Sequence, residues 1–484
     1  MNPILSLIIG LSSILITISQ LQLPLQTDHH YSKLSIDIQN LGSGPLSEWS
    51  RDIKFQFLNE LSEGRANEWI IVMGNEAGDT DSMAAAIGWA YHLNHLKSKS
   101  QKAISLLQTV EDALDLRPEN QLALERASMS SHHRDILTID ELPIKPFELS
   151  RHLNGIVLVD HNYPTAGWKE ANVISIIDHH MDMHTNNSAN PRFITTSASC
   201  SSLVAELIFN DEHELGLTDR HLPNGLITLL LRAIALDSRG LKSNKTKRID
   251  KKSALRLFRK FIKQNFENDQ SNTINPNDSK KLENSDLNSI MNHFLIEMKY
   301  AREQLDALDL RDLLRRDWKA NAVHTQSNDY PILSLGFASV PYSLIEQMKR
   351  TPEKTTPEWF AIQRAFTSEI GADVSIVLTQ FNSTSKGGEK IRELVLVVAH
   401  GWGKRLGSNS ATNLFNHLKK SIEDNLKGLE KWDRPDGKEL LARRMVWKGL
   451  KDGRKIVMPL VQESVRNWSY EEHNDRNVSH QEEI

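Results

Sequence analysis

The feature that most constrains this chain is a set of short apolar runs that stop at carboxylates. Trp69–Met73 leads to Asp79 and Asp81, Ile156–Val159 ends at Asp160, and Val173–Ile177 ends at Asp178. Runs that are apolar at every position, not at every second one, are what strands buried on both faces look like. Their alternation with helical patterns predicts an α/β lobe with a mainly parallel sheet flanked by helices. Parallel strands deliver their carboxyl ends to one edge, where open α/β folds place ligands. The acidic residues at the run ends are therefore predicted to converge.

At 484 residues the chain is long enough for two domains. The stretch 264–289 is polar and rich in Asn, Ser and Asp, and it reads as a flexible linker. It separates the first lobe, 45–263, from a smaller mixed α/β lobe, 290–470, with an active site expected in the cleft between them. In the second lobe Ile290–Lys319 is predicted helical, while Ile332–Phe337, Asp373–Thr379 and Glu393–Val398 are predicted strands. The acidic end, 471–484, reads as a disordered tail. At the other end, within 1–23, the uncharged apolar stretch Ile4–Ile18 is expected to be a signal peptide or apolar anchor. Sequons at Asn186, Asn244, Asn277, Asn382, Asn467 and Asn477 suit secretory passage to the cell exterior or a vacuole, with the cytoplasm as the alternative.

Composition narrows the chemistry. The 58 Lys and Arg against 62 Asp and Glu leave a formal charge of −4, without the basic excess of a nucleic-acid partner, and 25% charged residues exclude a multi-span membrane protein. A single cysteine, Cys200, rules out an intrachain disulfide and a thiolate metal cage. Any metal must bind through oxygen and imidazole.

Four segments carry that donor chemistry. Asp79 and Asp81 sit in a glycine-containing loop that leads into a predicted helix, Ser82–Leu96, although an Asp-x-Asp alone reads equally as a turn with a helix cap. Asp160-His161-Asn162 and Asp178-His179-His180 follow the second and third apolar runs. The helix Leu226–Leu236 runs into Asp237, followed by Arg239, Lys242 and Lys245, which on their own could cap the helix end. Asp79, Asp81, Asp160, His179 and Asp237 together make four carboxylates and one imidazole, a set that suits hard divalent ions. Two such ions would neutralise the mutual repulsion, lower the pKa of a bridging water and clamp a phosphoryl group for in-line attack.

The ordered series Asn75-Glu76-x-x-Asp79-x-Asp81-Ser82, Asp160-His161-Asn162, Asp178-His179-His180 and Asp237 resembles the motifs of the DHH phosphoesterase superfamily. Arg117-Pro118-Glu119-Asn120, Ser199–Val204, Leu241-Lys242, Leu314–Lys319 and Gly453–Pro459 extend the likeness across roughly residues 45 to 470. Within the superfamily the chain looks like the eukaryotic, fungal-type exopolyphosphatases with a DHH-associated C-terminal domain, related to family II inorganic pyrophosphatases and prune.

The resemblance implies hydrolysis of the terminal phosphoanhydride bonds of polyphosphate to release orthophosphate. Asp160 would bridge two metals, Asp79 would hold the first, and Asp81, His179 and Asp237 would complete the second. His180 would face the substrate phosphate, and Arg454 and Lys455 would reach it from the second lobe, with Lys242, Lys245 and Lys319 as further cations. Asn75 stands where the pyrophosphatases carry a metal-binding His, which leaves the site richer in oxygen and implies Mg2+ ahead of Mn2+ or Co2+. Cys200 is read as packing and backbone phosphate contact, not as a nucleophile. The alternatives are a family II-like pyrophosphatase, a prune-like hydrolase of nucleotides and short polyphosphates, and an inactive polyphosphate-binding protein.

Overall fold

The computed structural model describes residues 42–96, 101–132, 134–216, 220–266, 276–382, 390–399, 405–432 and 444–471. The expected signal peptide at 1–23 and the tail from 472 onward lie outside them.

The first lobe is built on a six-stranded sheet: β1 (Trp69–Met73), β2 (Lys102–Leu107), β3 (Leu137–Thr138), β4 (Gly155–Val159), β5 (Val173–Asp178) and β6 (Arg192–Ile194). The spatial order is β3-β2-β1-β4-β5-β6, and every neighbouring pair is parallel. Side chains of one strand alternate between two cores. Ile70, Val72, Val157 and Val159 enter one, while Trp69, Ile71, Met73, Ile156 and Leu158 enter the other. Burial on both faces is why these strands are apolar at every position. Met73 pairs with Leu158, and Leu158 with Ile176, so β1, β4 and β5 end level with one another. The strand order reverses between β1 and β4, and that switch point opens a crevice at their carboxyl ends.

Helices α1 (Pro45–Ser62), α2 (Thr80–Asn94), α3 (Pro118–Arg126), α4 (Pro146–Leu149), α5 (Cys200–Glu214), α6 (Asn224–Ser238) and α7 (Arg248–Phe266) accompany this sheet. An eighth, α8 (Pro276–Glu303), corrects the expectation of a flexible linker over 264–289, of which only 267–275 falls outside the described residues. Leu287, Met291, Phe294 and Met298 recur at helical spacing and are buried in the first lobe's core, so the segment is anchored to that lobe.

The second lobe begins with α9 (Leu310–Arg316), whose first turn is capped by Asp309 accepting from the Asp312 N–H at 2.8 Å. Its sheet contains β7 (Trp318–His324), β8 (Ile332–Val340), β9 (Val374–Thr379), β12 (Glu393–Val398), β13 (Glu430–Lys431) and β14 (Arg444–Lys448), in the order β13-β14-β12-β9-β8-β7. A separate ribbon pairs β10 (Phe381–Asn382) with β11 (Lys390–Ile391). Only the β8–β9 pair of the six-stranded sheet is parallel, so the sheet is mixed. Lys319 lies on β7, where the sequence predicts helix through to this residue. The expected helix is broken between Glu303 and Leu310, where Leu305 and Leu308 are buried, and its second piece ends at Arg316, before β7. Helices α10 (Leu344–Met348), α11 (Thr356–Glu369), α12 (Ser408–Asn425) and α13 (Arg454–Arg466) cover the lobe. Among the described residues no helix is long and apolar enough to cross a membrane.

Candidate active site

Asp160 leaves β4 with φ of 61°, a left-handed conformation that costs a non-glycine residue free energy and turns its side chain into the crevice. Its backbone N–H donates to Ile177 at 3.0 Å, which ties the turn to β5. The side chain is gripped on one oxygen only. Oδ2 accepts from Asn75 Nδ2 at 2.8 Å and from Ser82 Oγ at 2.7 Å. Oδ1 is buried and lies 3.0 Å from His179 Nε2.

The ring of His179 is turned by the carbonyl of Ser197, 3.1 Å from Nδ1. A proton on Nδ1 directed at that carbonyl leaves Nε2 free as a ligand beside Asp160. His180 is oriented through Asp178, whose Oδ1 accepts from the His180 ring at Nδ1, 2.8 Å away, and from the backbone N–H groups of His179 and His180. Asp178 itself is inaccessible, and its other oxygen accepts from Asn162 Nδ2 at 2.5 Å. One ligand atom from each of Asp160, His179 and His180 falls within 4.8 Å of the others.

The loop between β1 and α2 brings the next two carboxylates. Asp79 is the N-cap of α2, accepting from the Ser82 N–H at 3.1 Å, which is the cap reading of Asp-x-Asp. Gly78, at φ of 54°, makes the turn, and a Cβ there would lie 2.4 Å from Thr109 Oγ1. Asp81 points at the N-terminus of α5. Its Oδ1 accepts from Ser199 Oγ, the Ser201 N–H and Ser201 Oγ at 2.7, 2.8 and 2.7 Å, and its Oδ2 from the Cys200 N–H at 2.6 Å. The Cys200 N–H therefore serves Asp81 and not a phosphate, while the packing expected of Cys200 is present: the side chain is inaccessible and burial pushes its thiol pKa well up.

Electrostatics bring the fifth residue into the group. Burial, followed by the charges of Asp81, Asp79 and Asp160, pushes the Asp237 carboxyl well above the usual range, so the four carboxylates are near enough to act on one another. Among the described residues, however, only Asp160, His179 and His180 bring ligand atoms within 4.8 Å of each other. Burial raises Asp160 to about 6, with Asp79 and Asp81 adding to the push and His179 opposing it. Burial works to lower His179, but the hydrogen bond and charge of Asp160, the charge of Asp81 and the Ser197 carbonyl outweigh it and raise His179 to about 10. Burial likewise raises Asp79, but Arg117, the Ser82 N–H, Lys319 and Arg302 hold it below its ordinary value. This is a concentration of negative charge around a buried carboxylate oxygen that faces an imidazole nitrogen, and divalent cations fit it.

The model for the N-terminal domain of the DHH family matches residues 69–234, and that for the DHHA2 domain matches residues 296–464. This chain belongs to the DHH family. The DHH protein is 27% identical over 431 residues, 87% of its length and 97% of the relative's, to a Schizosaccharomyces pombe protein named "Putative exopolyphosphatase". Over 192 residues, 38% of this chain and 53% of the relative, it is 29% identical to the manganese-dependent inorganic pyrophosphatase of Methanocaldococcus jannaschii. Over 148 residues, 30% of this chain and 32% of the relative, it is 26% identical to the exopolyphosphatase PRUNE1 of Bos taurus.

In the DHH protein the anticipated cations stand around the cluster to different degrees. Lys319 is close enough to bear on Glu76, Asp79 and His161. Arg454 spans the start of β7, with Nη1 2.9 Å from Asp317 Oδ2 and 3.1 Å from Ser339 Oγ. Lys242 Nζ meets Asn292 Oδ1 on α8 at 3.4 Å, and Lys245 and Lys455 are exposed. Sequence reasoning missed Arg302, which bears on both Asp79 and Asp237 from the end of α8: helix was expected there, but no local pattern announces that its end reaches the cluster. It also passed over Ser82, Asn162 and Asp178 as site-building residues; all three lie within the DHH motifs.

Proposed function

We propose that this protein is a metal-dependent exopolyphosphatase that releases orthophosphate from the ends of inorganic polyphosphate. The observation that carries the reading is the buried Asp160 Oδ1, 3.0 Å from His179 Nε2, in the same field as Asp79, Asp81 and Asp237. The near full-length likeness to the fission-yeast protein supports the choice of substrate. Asp79, Asp81, Asp160, His179 and Asp237 would hold two divalent cations. When bound, these would supply Lewis-acid charge to the phosphoryl group and lower the pKa of attacking water. The donor set is oxygen-rich because Asn75 is an amide, which favours Mg2+, while the matched pyrophosphatases are named for manganese.

The chain's own residues do the rest. With Nδ1 held by Asp178 and 3.7 Å from Asp160 Oδ1, the half-exposed ring of His180 stands beside the cluster, where it can contact a phosphate oxygen. Lys319, Arg454, Arg117 and Arg302 supply positive charge across the cleft, and Lys242, Lys245 and Lys455 extend it outward for the remaining chain. A family II-like pyrophosphatase is the second reading, favoured by the match of the M. jannaschii enzyme. Secretory passage is also proposed, supported by the apolar N-terminal stretch and the exposed sequons at Asn244, Asn382 and Asn467. A mature N-terminus beyond residue 1 and a glycosidase-sensitive mass would bear it out, and an intact, unglycosylated chain would remove it.

Orthophosphate release from long-chain polyphosphate with Mg2+ or Mn2+, measured beside a binding titration, tests the enzymatic reading. Release is expected; binding without release would leave a polyphosphate-binding protein.

A further inference from the structure

A short helix connects the first metal loop to the second lobe. The Asn120 side chain on α3 clasps both neighbours of Asp79: its Nδ2 donates to the Gly78 carbonyl at 2.7 Å, and its Oδ1 accepts from Thr80 Oγ1 at 2.7 Å. One residue earlier, Glu119, only 2% exposed, takes Arg316 of α9 on Oε1 at 2.7 Å, with Arg117 Nη1 3.5 Å from the same oxygen. Backbone contacts lock the pairing in both directions: Arg316 Nε donates to the Leu116 carbonyl at 2.7 Å, and Arg117 Nη2 donates to the Arg316 carbonyl at 2.8 Å. Ala113 and Leu116 pack beside it against Leu305, Leu308, Leu310 and Leu314.

The residues immediately C-terminal to Arg316 tie this joint to the cluster. Asp317 holds Arg454, and Lys319 bears on Asp79 and Glu76. The spacing along the chain is short and the connection is a strand, so a displacement of Arg316 moves both cations with it. Glu119 Oε2 is buried without a partner, so the Glu119 charge depends on the arginines. Losing one of them strands a buried carboxylate and weakens the docking of the lobes.

We propose that Glu119, Arg316 and Asn120 are positioning residues: the Glu119–Arg316 joint sets the height of Lys319 and Arg454 over the metal cluster, and Asn120 sets the Asp79 loop from the same helix. The role in phosphate binding rests on the exopolyphosphatase reading; the role toward the Asp79 loop does not. A purely structural ion pair and a positioning joint differ in what an apolar replacement restores. Glu119→Met/Arg316→Met removes both charges together and keeps the volume, so thermal stability should stay near wild type. KM for tripolyphosphate should still rise about tenfold while kcat falls less than about threefold. Arg316→Lys, which keeps the charge but loses the fork, should fall between the two.

For the loop, Asn120→Ala should weaken binding of Mn2+ alone by about fivefold or more, read by calorimetric titration of the full chain. The double variant with wild-type KM, or Asn120→Ala with a wild-type Mn2+ titration, would overturn the corresponding half of the proposal. The titration needs no turnover. Absence of phosphate release by the wild-type protein would instead remove the proposed function and leave the Asn120 result standing.

Discussion

Asp160 Oδ1 and His179 Nε2 face each other at 3.0 Å across the ends of adjacent parallel strands. Two donors held this way by their own supporting contacts are what a shared cation requires. Asp160→Asn should therefore fold, since Asn tolerates the left-handed backbone that Asp160 adopts. Turnover should drop below about a tenth of wild-type kcat, a loss of more than ~1.4 kcal/mol in the barrier. Retention of more than that would remove Asp160 from the metal site.

The elevated pKa of His179 sets the sign of a pH effect. With the group raised to about 10 by Asp160, the ring carries a proton throughout the neutral range, and a cation must displace it to bind at Nε2. Affinity for Mn2+ should weaken as pH falls, by about tenfold per unit between about pH 9 and pH 7, with one proton released per site filled. Titration calorimetry in buffers of different ionisation enthalpy measures both. An affinity independent of pH would show that His179 is not a ligand.

Asn75 offers a test of metal choice. Its amide now donates to Asp160 Oδ2 at 2.8 Å, and its own Oδ1 accepts from the Ala77 N–H at 2.9 Å. Asn75→His would place an imidazole beside the Asp160 carboxylate and should shift metal preference toward Mn2+ or Co2+. An unchanged metal profile would place this side chain outside the donor set.

Much of this site was legible because the strands that carry it are buried on both faces. Trp69–Met73 and Ile156–Val159 are apolar at every position, so their ends, and the carboxylates just beyond, could be located. Strand β7 escaped notice because it lies at the sheet edge and is half exposed, and its Trp-Lys-Ala-Asn pattern follows a charged helix without a break in composition. The polar first half of α8 resembled a linker because the buried positions that anchor the helix, Leu287 onward, come late in it. The contacts of Asn162 with Asp178 and of Asp81 with Ser199 and Ser201 join residues far apart in the chain, and no local pattern announces them.

The second-lobe cations should act on binding more than on chemistry. Lys319→Met should raise KM for tripolyphosphate about tenfold, more than Lys245→Met does, because Lys319 bears on Asp79 while Lys245 is exposed. Added salt should weaken wild-type binding, since the outer cations are screened. Equal effects of the two substitutions would show that Lys319 holds no special place over the cluster.

Substrate choice tests the central claim most directly. An exopolyphosphatase must hold a terminal phosphoryl group at the carboxylate cluster while the remaining chain extends past cations beyond it, and pyrophosphate has no third phosphoryl group to reach them. The measurement is kcat/KM for tripolyphosphate and for pyrophosphate under identical Mg2+ and again under identical Mn2+. A clear preference for tripolyphosphate, with little or no pyrophosphate hydrolysis, is predicted; a preference for pyrophosphate would contradict it and make the protein a pyrophosphatase.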